Sequence, residues 1–239
     1  MSEALAAALR DFFRPSMLGL VLWPLIGSVL LWVLLALAFW HSTVLAVQHL
    51  ISAPWLAHLL GADALQALSA LGVTTILLIL LPPLIQATAL LITAFIAVPR
   101  MLGLVAAERY PQLERKRFGS LLGNLWNALS ATVIYVVLWL ASLPLWLFVL
   151  PGVVLGVLIN GWLNARLFRY DALAEHASRE EYAALRARAG GRFYGLGLVA
   201  ALIQLVPLLN LVSPVYSGLS FIHFGLAELA RLRAGEPKA

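Results

Sequence analysis

Long apolar stretches alternate with short polar ones along the chain, and the first runs from Met17 to Trp40 without a charged residue. At about 1.5 Å of rise per residue, a helix of this length spans the roughly 30 Å hydrocarbon core of a membrane. Residues 70–98 form a second such stretch. Pro82 and Pro83 near its centre should kink the helix, because proline removes backbone donors. The pattern predicts transmembrane helices over 17–40 and 70–98.

Residues 41–69 separate these two crossings and contain no Lys or Arg. We expect them to form an outer loop with an interfacial helix that carries Trp55. Before the first crossing, Leu5, Leu9 and Phe12 recur at helical spacing. This spacing predicts an amphipathic helix over 1–15 on the inner membrane surface, with a frayed terminus as the alternative.

Two later apolar excursions are interrupted by prolines. Residues 118–165 have no charge and are long enough for two full crossings. In 193–230, the arm before Pro207 is shorter than the roughly 17 to 25 residues that a crossing needs. We therefore predict two Pro-broken, hemi-penetrating helical hairpins that enter from the cytoplasmic side. A chain with six full crossings fits the same charge pattern.

The break at Pro207, in the segment 193–230, needs polar partners for its backbone. A turn inside hydrocarbon frees N–H and C=O groups that lipid cannot satisfy, so it must be buried in protein or face a wet cavity. Pro207 and Pro214 are expected to fix the break. Asn210 and Ser213 are suited to binding the loosened backbone or capping the second arm.

The composition and the placement of charge set the class of protein and its orientation. The chain is 62% apolar and 11% charged, with a mean hydropathy of +0.94, which indicates an integral membrane protein. All 16 Lys and Arg lie in four islands: 10–14, 100–117, 166–192 and 231–238. Because basic flanks stay in the cytoplasm, we expect all four islands and both termini there. The net charge of +5 then reflects topology and not nucleic-acid binding.

The polar segment 166–192 reads as a cytoplasmic helical connector. Ser178 and Glu181 match the Ser-x-x-Glu capping box that opens a helix. Gly190 and Gly191 are expected to end that helix. The chain is thus a single all-α membrane domain over 1–239.

The motifs of catalysis and metal binding are missing from the sequence. It has no phosphate-binding loop, nucleophile elbow or His-Glu-x-x-His, so we predict no enzyme activity, cofactor or metal. The absence of Cys also excludes disulfides and thiolate sites. His41, His49 and His58 share the outer loop without ligand spacing. His223 is interpreted as a hydrogen-bonded structural histidine, with a place along a solute path as the alternative.

The remaining signals are helix ends and positive charge. Broken helices in a membrane aim their N-terminal N–H groups at the break, which favours anions. The basic islands would concentrate anions at the cytoplasmic mouth. Both features favour an anion permease, although basic residues also fix topology and bind anionic lipid.

Pro207-Leu-Leu-Asn-Leu, followed by Pro214, resembles the CysZ family of bacterial inner-membrane sulfate permeases, part of the etoposide-induced-protein family. Asp171 and His176 also match positions of that family, as does Pro24 in the first crossing. The resemblance implies two transmembrane helices, two hemi-penetrating hairpins and a homodimer or larger assembly. It also implies channel-like or passive sulfate uptake that supplies cysteine synthesis.

The family's sulfate-contacting Gly-Leu-Arg motif aligns with Ser16-Met17-Leu18-Gly19, where the basic residue is missing. Arg14 is the nearest cation that could replace it. The resemblance therefore implies substrate binding by Arg14, Ser16, Leu18 and Gly19, with Asn210 and Ser213 at the break. Pro24, Asp171, His176, Pro207, Pro214 and His223 are family positions without an assigned role.

A second hypothesis comes from a different class. Half-depth hairpins crowd one leaflet, so a protein of this kind could shape or assemble membranes without moving a solute. Normal solute flux together with altered membrane morphology after deletion would favour it. An intramembrane enzyme ranks third, because the sequence offers no pair of nucleophile and base.

Overall fold

The computed structural model describes residues 1–51, 61, 63, 65 and 72–235. Every regular element in this part of the chain is helical, which confirms the predicted all-α class. The α-helices are α1 (Ser2–Phe12), α2 (Pro15–Ile51), α3 (Val73–Ile92), α4 (Val98–Arg109), α5 (Leu121–Ser142), α6 (Val149–Leu173), α7 (Arg179–Gln204) and α8 (Pro207–Arg233). A π-helical turn covers Thr93–Ala97, and a 3-10 turn covers Leu143–Leu147.

The chain divides into two compact units. The smaller unit, Leu22–Ile92, contains most of α2 and all of α3. Its helices are joined by a hydrogen bond in which Trp32 Nε1 donates to Thr88 Oγ1 at 2.9 Å. Many large apolar side chains of α2 in this unit are exposed, as with Leu37 at 78%. Such an exposed apolar surface is what a lipid environment requires.

The first predicted crossing is longer than the sequence pattern indicated. The prediction placed its end at residue 40, but α2 continues to Ile51 and so includes the start of the expected outer loop. Trp55 and His58 lie outside the described residues. Pro82 lies inside α3, which begins at Val73 and ends at Ile92.

Three described helical stretches are long and apolar enough to cross a membrane: Pro15–His49, Leu122–Leu147 and Val149–Leu173. The last two are the arms of the first predicted hairpin. At 26 and 25 residues, each exceeds the roughly 20 residues that a crossing needs. The lengths of these two helical stretches therefore favour two full crossings over residues 118–165. This was the alternative to the predicted hemi-penetrating hairpin.

The second hairpin has the predicted short arm. Only the last part of α7, from Phe193 to Gln204, is apolar, and neither α7 nor α8 is among the candidate spans of the described chain. The chain turns at Leu205 and Val206, and Pro207 occupies the first turn of α8. The break thus falls directly before Pro207, as the sequence predicted.

Pro214 does not take part in this break. It lies inside α8, which continues through it to Arg233. The prediction that both prolines fix the break was therefore wrong for Pro214. A proline within a helix loses one hydrogen bond, and neighbouring packing can tolerate that loss. Val215 and Leu219, in the turns after it, are buried in the core.

The connector is also more continuous than predicted. α6 extends to Leu173, beyond the predicted hairpin end at 165, and α7 begins at Arg179 with the expected capping box between Ser178 and Glu181. The prediction that Gly190 and Gly191 end this helix was wrong, because α7 runs through them. Their cost of about 1 kcal/mol each is small beside the packing of a long helix. Phe193 and Leu196 on this helix are fully buried.

The larger unit, Met1–Val21 with Thr93–Ala239, holds the main core. α8 is its centre and packs against α1, α4, α6 and α7. The predicted N-terminal helix is present as α1, and it buries Ala8 and Asp11 against this core. One face of α1 is therefore held by protein, and the expected surface contact with lipid concerns only its other face.

Ion pairs bring the four basic islands together in this unit. Arg109 pairs with Asp11 at 2.9 Å, and Lys116 pairs with Glu181 at 2.8 Å. Arg233 of the C-terminal island pairs with the same Glu181 at 3.0 Å. These contacts link residues of all four islands within the larger unit. The cytoplasmic placement of the islands stays a prediction.

Candidate functional site

A cavity of about 810 Å³ lies in the larger unit between the start of α5, the end of α6 and the first half of α7. Four arginines line it, and no Asp or Glu is among its lining residues. Their side chains come from two helices: Arg166 and Arg169 from α6, and Arg179 and Arg186 from α7.

Helical spacing puts these arginines on the wall of the cavity. Arg166 and Arg169 are three residues apart, so they share one face of α6. On α7, Arg179, Tyr182 and Arg186 form a stripe with spacings of three and four. The capping box at Ser178 fixes where α7 begins and so sets the direction of this stripe.

Arg166 is held by neutral partners. Its Nη2 donates to Ser130 Oγ at 2.6 Å, and its Nε lies 3.4 Å from Asn127 Oδ1. The guanidinium also lies over the ring of Trp162, 5.5 Å from the ring centre. These contacts orient the group without cancelling its charge.

Arg169 is positioned by aromatic side chains. Its guanidinium carbon lies 5.7 Å from the ring centres of both Tyr182 and Phe193. Its Nε is 3.4 Å from the Tyr182 hydroxyl. Tyr182 in turn packs against Phe118 and Tyr170, with ring centres 4.8 and 5.9 Å away. The aromatic rings around Arg169 therefore restrict the movement of its side chain.

Gly123 provides the space that Tyr170 occupies. A Cβ at Gly123 would lie 2.7 Å from the Tyr170 hydroxyl. The backbone N–H of Gly123 donates to the N-cap Ser120 at 3.0 Å, which starts α5 at the edge of the cavity. The small residue and the cap together allow α5 to approach α6 here.

None of the ion pairs in the described chain involves the four cavity arginines, whereas Arg14, Arg109, Arg192 and Arg233 each have a carboxylate partner. The cavity therefore keeps a high positive charge. Arg offers a planar fork of donors that matches the oxygens of sulfate, phosphate and carboxylate. The arrangement suits a small oxyanion of more than one negative charge.

A second cavity, of about 330 Å³, lies near the tips of the two hairpins. Trp139, Trp146, Asn160, Gln204 and Asn210 contribute to its lining, which includes no charged side chain. Asn164 Nδ2 donates to Gln204 Oε1 at 3.4 Å beside it. The predicted residue Asn210 thus lies at an uncharged polar cavity and not among the arginines.

The prediction that Asn210 or Ser213 caps the second arm was wrong. The N-cap of α8 is Val206, and no side chain caps it. Asn210 is exposed. Ser213 is fully buried, and its hydroxyl has no hydrogen-bond partner within the described part of the chain. The turn at Leu205 and Val206 is satisfied locally, because both N–H groups bond to preceding carbonyls of α7.

The predicted residues before the first crossing occupy a different place. Arg14 forms two hydrogen bonds to the Glu108 carboxylate, at 2.6 and 2.8 Å, and a 3.2 Å ion pair with Asp11. Ser16 and Gly19 at the start of α2 are exposed, and Leu18 is half-buried. None of these residues lines either cavity described above. Their role in substrate binding stays a prediction.

The family positions Asp171 and His176 lie near the junction between α6 and α7. Asp171 is in the last turn of α6. His176 is buried, and its carbonyl accepts a hydrogen bond from Arg233 Nη2 at 2.8 Å. Burial lowers the pKa of His176. The structure therefore gives His176 a place in the packing of this junction.

His223 is buried next to Asp11, with its Nε2 2.8 Å from the Asp11 Oδ2. The two side chains are therefore in direct contact within the core. Asp11 is also bound by Arg109. This placement favours the structural interpretation of His223.

Pro24 lies within α2, where its carbonyl accepts a hydrogen bond from Ser28 Oγ at 2.6 Å. Within the residues that the structure describes, no three His, Cys, Asp or Glu side chains cluster closely enough to hold a metal ion.

Sequence reasoning missed the four cavity arginines as a set. It assigned 166–192 to a polar connector, because the charges there are explained by topology. The available signal was the spacing of Arg179, Tyr182 and Arg186 on one face of a helix. That spacing indicates a site only once the packing of α6 against α7 places Arg166 and Arg169 in the same cavity as Arg179 and Arg186.

The helices, the apolar spans and the exposed apolar side chains define an integral membrane protein, with a cavity lined by arginines in its larger unit. A family model described as "Sulfate transporter CysZ/Etoposide-induced protein 2.4" matches residues 4–214. Because the match covers most of the chain, the protein belongs to this family, as the resemblance at Pro207-Leu-Leu-Asn-Leu implied. No similar chain was found among curated proteins or among solved structures.

Proposed function

We propose that the protein is a permease that conducts a small inorganic oxyanion, sulfate or a close relative, across the bacterial inner membrane. The observation that carries this proposal is the cavity with four arginines and no acidic lining residue. A permeant anion needs a site that replaces its water shell, and unpaired guanidinium groups next to Ser, Tyr and Trp donors supply one.

The position of the cavity supports a role in entry or exit. It lies where α5 begins and α6 ends, at the opposite end of both helices from the Leu143–Leu147 turn. Lys116 and Arg233, from two other basic islands, pair with Glu181 in the first turn of α7 near this end. The positive charge gathered here would raise the local concentration of anions. We place this end, and both termini, on the cytoplasmic side.

The mode of transport that fits best is passive. The candidate spans of the described chain carry no acidic side chain except Asp171 at the end of α6, so they lack the chain of carboxylates that proton-coupled carriers use. An anion would then move down its gradient, and sulfate uptake would feed sulfur assimilation.

Sulfate uptake into liposomes tests the proposal. Vesicles with the purified full chain should take up labelled sulfate faster than empty vesicles, and uptake should saturate. Phosphate, selenate and chloride in excess would rank the specificity by competition. Uptake equal to that of empty vesicles with each of these anions would reject permeation and favour the non-transporting membrane-structural role.

A further inference from the structure

The arginine cavity has a second chemical surface that inorganic anion binding does not use. Trp126 lines the cavity and is 70% exposed. On the same face of α5, Leu122 and Leu129 are 79% and 53% exposed. These residues are spaced by four and three, so they form one apolar stripe that leads directly from the cavity along α5.

The cavity lies at the level where a membrane surface is expected. Its α5 residues begin one residue after Leu122, where the candidate span Leu122–Leu147 starts, and its α6 residues are near the end of the span Val149–Leu173. If these helices cross the hydrocarbon core, their shared open end is at the headgroup region. Trp126 and Trp162 in the lining are typical of that region.

The size of the cavity also exceeds the needs of one inorganic ion. Cavities of about 300 to 1,000 Å³ hold ligands of drug size, and this one measures about 810 Å³. A glycerophosphate group fits such a volume and brings one negative charge to the arginines. The acyl chains attached to it would lie along the exposed stripe on α5.

We propose that this cavity binds the phosphate-bearing headgroup of an anionic phospholipid, with the acyl chains on the stripe formed by Leu122, Trp126 and Leu129. Charge complementarity with four arginines selects an anionic over a zwitterionic headgroup. The inference concerns lipid binding and stands apart from transport. A bound lipid would compete with any inorganic anion that uses the same arginines.

Lipid binding to the purified full chain in an uncharged detergent tests this proposal, with short-chain phosphatidylglycerol and phosphatidylcholine as probes. We expect phosphatidylglycerol to bind about tenfold more tightly than phosphatidylcholine. Arg186→Gln should weaken phosphatidylglycerol binding about fivefold, since each basic residue near a membrane surface contributes an effect of this size. Arg186 is exposed and makes no ion pair in the described chain, so this variant should fold. Arg10→Gln, an exposed arginine of α1 outside the cavity, is the matched control.

A third ligand, soluble glycerol phosphate, distinguishes a lipid-binding site from a site for free oxyanions. We expect glycerol phosphate to bind more weakly than phosphatidylglycerol. Trp126→Ala should weaken the binding of phosphatidylglycerol and leave the binding of glycerol phosphate unchanged. Equal affinity for the two lipids, or equal loss in Arg10→Gln and Arg186→Gln, would overturn the proposal. Glycerol phosphate binding as tightly as the lipid would show a site for small oxyanions alone.

Discussion

Gly197 of α7 meets Gly161 of α6 with backbone against backbone. A Cβ at Gly197 would overlap the Gly161 carbonyl oxygen and lie 2.9 Å from the Ala165 nitrogen. The two helices can therefore cross at this distance only with glycine at 197. Their close crossing sets where Arg166 and Arg169 on α6 face Arg179 and Arg186 on α7.

Gly197→Ala should destabilise the protein by about 1 to 3 kcal/mol, because backbone atoms cannot move aside as a side chain end does. Gly191→Ala is the matched control, since a Cβ there meets nothing within 4 Å. Alanine at 191 should raise stability by about 0.5 to 1 kcal/mol through its better helix propensity. Thermal unfolding in detergent measures both. Equal effects of the two substitutions would contradict the close crossing.

The buried ion pair between Arg192 and Glu228 joins the arms of the second hairpin. Its two hydrogen bonds measure 3.1 and 2.8 Å, and the carboxylate is 1% exposed. Arg192→Met leaves Glu228 with Arg231 alone, so we expect a loss of about 3 kcal/mol. Arg10→Met removes the same charge from an exposed position and should change stability by less than about 0.5 kcal/mol. The same melting temperature in both variants would show that the pair does not hold the arms together.

Glu181 gives the fold a dependence on pH. Burial alone would raise its pKa, but hydrogen bonds from Arg233, Lys116 and the Ser178 backbone lower the pKa to about 2. Since the folded pKa lies below the unfolded value of about 4.3, the carboxylate stabilises the fold fully above pH 4.3. That contribution is lost as the pH falls through 2, by at most about 1.4 kcal/mol per unit.

Denaturation of the wild type and of Glu181→Gln at several pH values checks this dependence. The advantage of the wild type should be constant between pH 7 and 5 and should shrink between pH 4 and 2. Glu3→Gln on the exposed face of α1 serves as the control for a change of charge. An advantage that stays constant down to pH 2.5 would contradict the assigned network.

The two prolines of the second hairpin should respond in opposite ways to alanine. Pro214 lies inside α8, where proline costs up to about 3 kcal/mol relative to alanine. Pro214→Ala should therefore stabilise the hairpin. Pro207 is in the first turn, where its fixed φ helps to start the helix, so Pro207→Ala should destabilise it slightly. A larger loss at 214 than at 207 in thermal unfolding would restore Pro214 as part of the break.

Local signals in the sequence predicted much of this fold. The apolar stretches located α2, α5 and α6, and the capping box at Ser178 located the start of α7. The short arm before Pro207 predicted the turn at Leu205 and Val206, because proline stops the hydrogen bonding of a preceding helix. Each of these features depends on residues close together in the chain.

Other features depend on packing between distant segments, and local patterns could not reveal them. Gly190 and Gly191 resemble a helix end, but the buried residues after them hold α7 in one piece. The arginine cavity forms because α6 and α7 cross at Gly161 and Gly197. Asp11 gave no sequence signal either, since its partner Arg109 is far away along the chain.

Sulfate flux into liposomes with single arginine variants tests the central claim most directly. Arg169→Gln and Arg186→Gln should each lower the rate at least about tenfold, the effect of losing about 1.4 kcal/mol of a charge-assisted contact, while Arg10→Gln matches the wild type. The flux of Arg14→Gln is compared with that of the cavity variants, because the family resemblance implies substrate binding at Arg14. Unchanged flux in both cavity variants, with a loss in Arg14→Gln alone, would contradict the assignment of the cavity as the anion site.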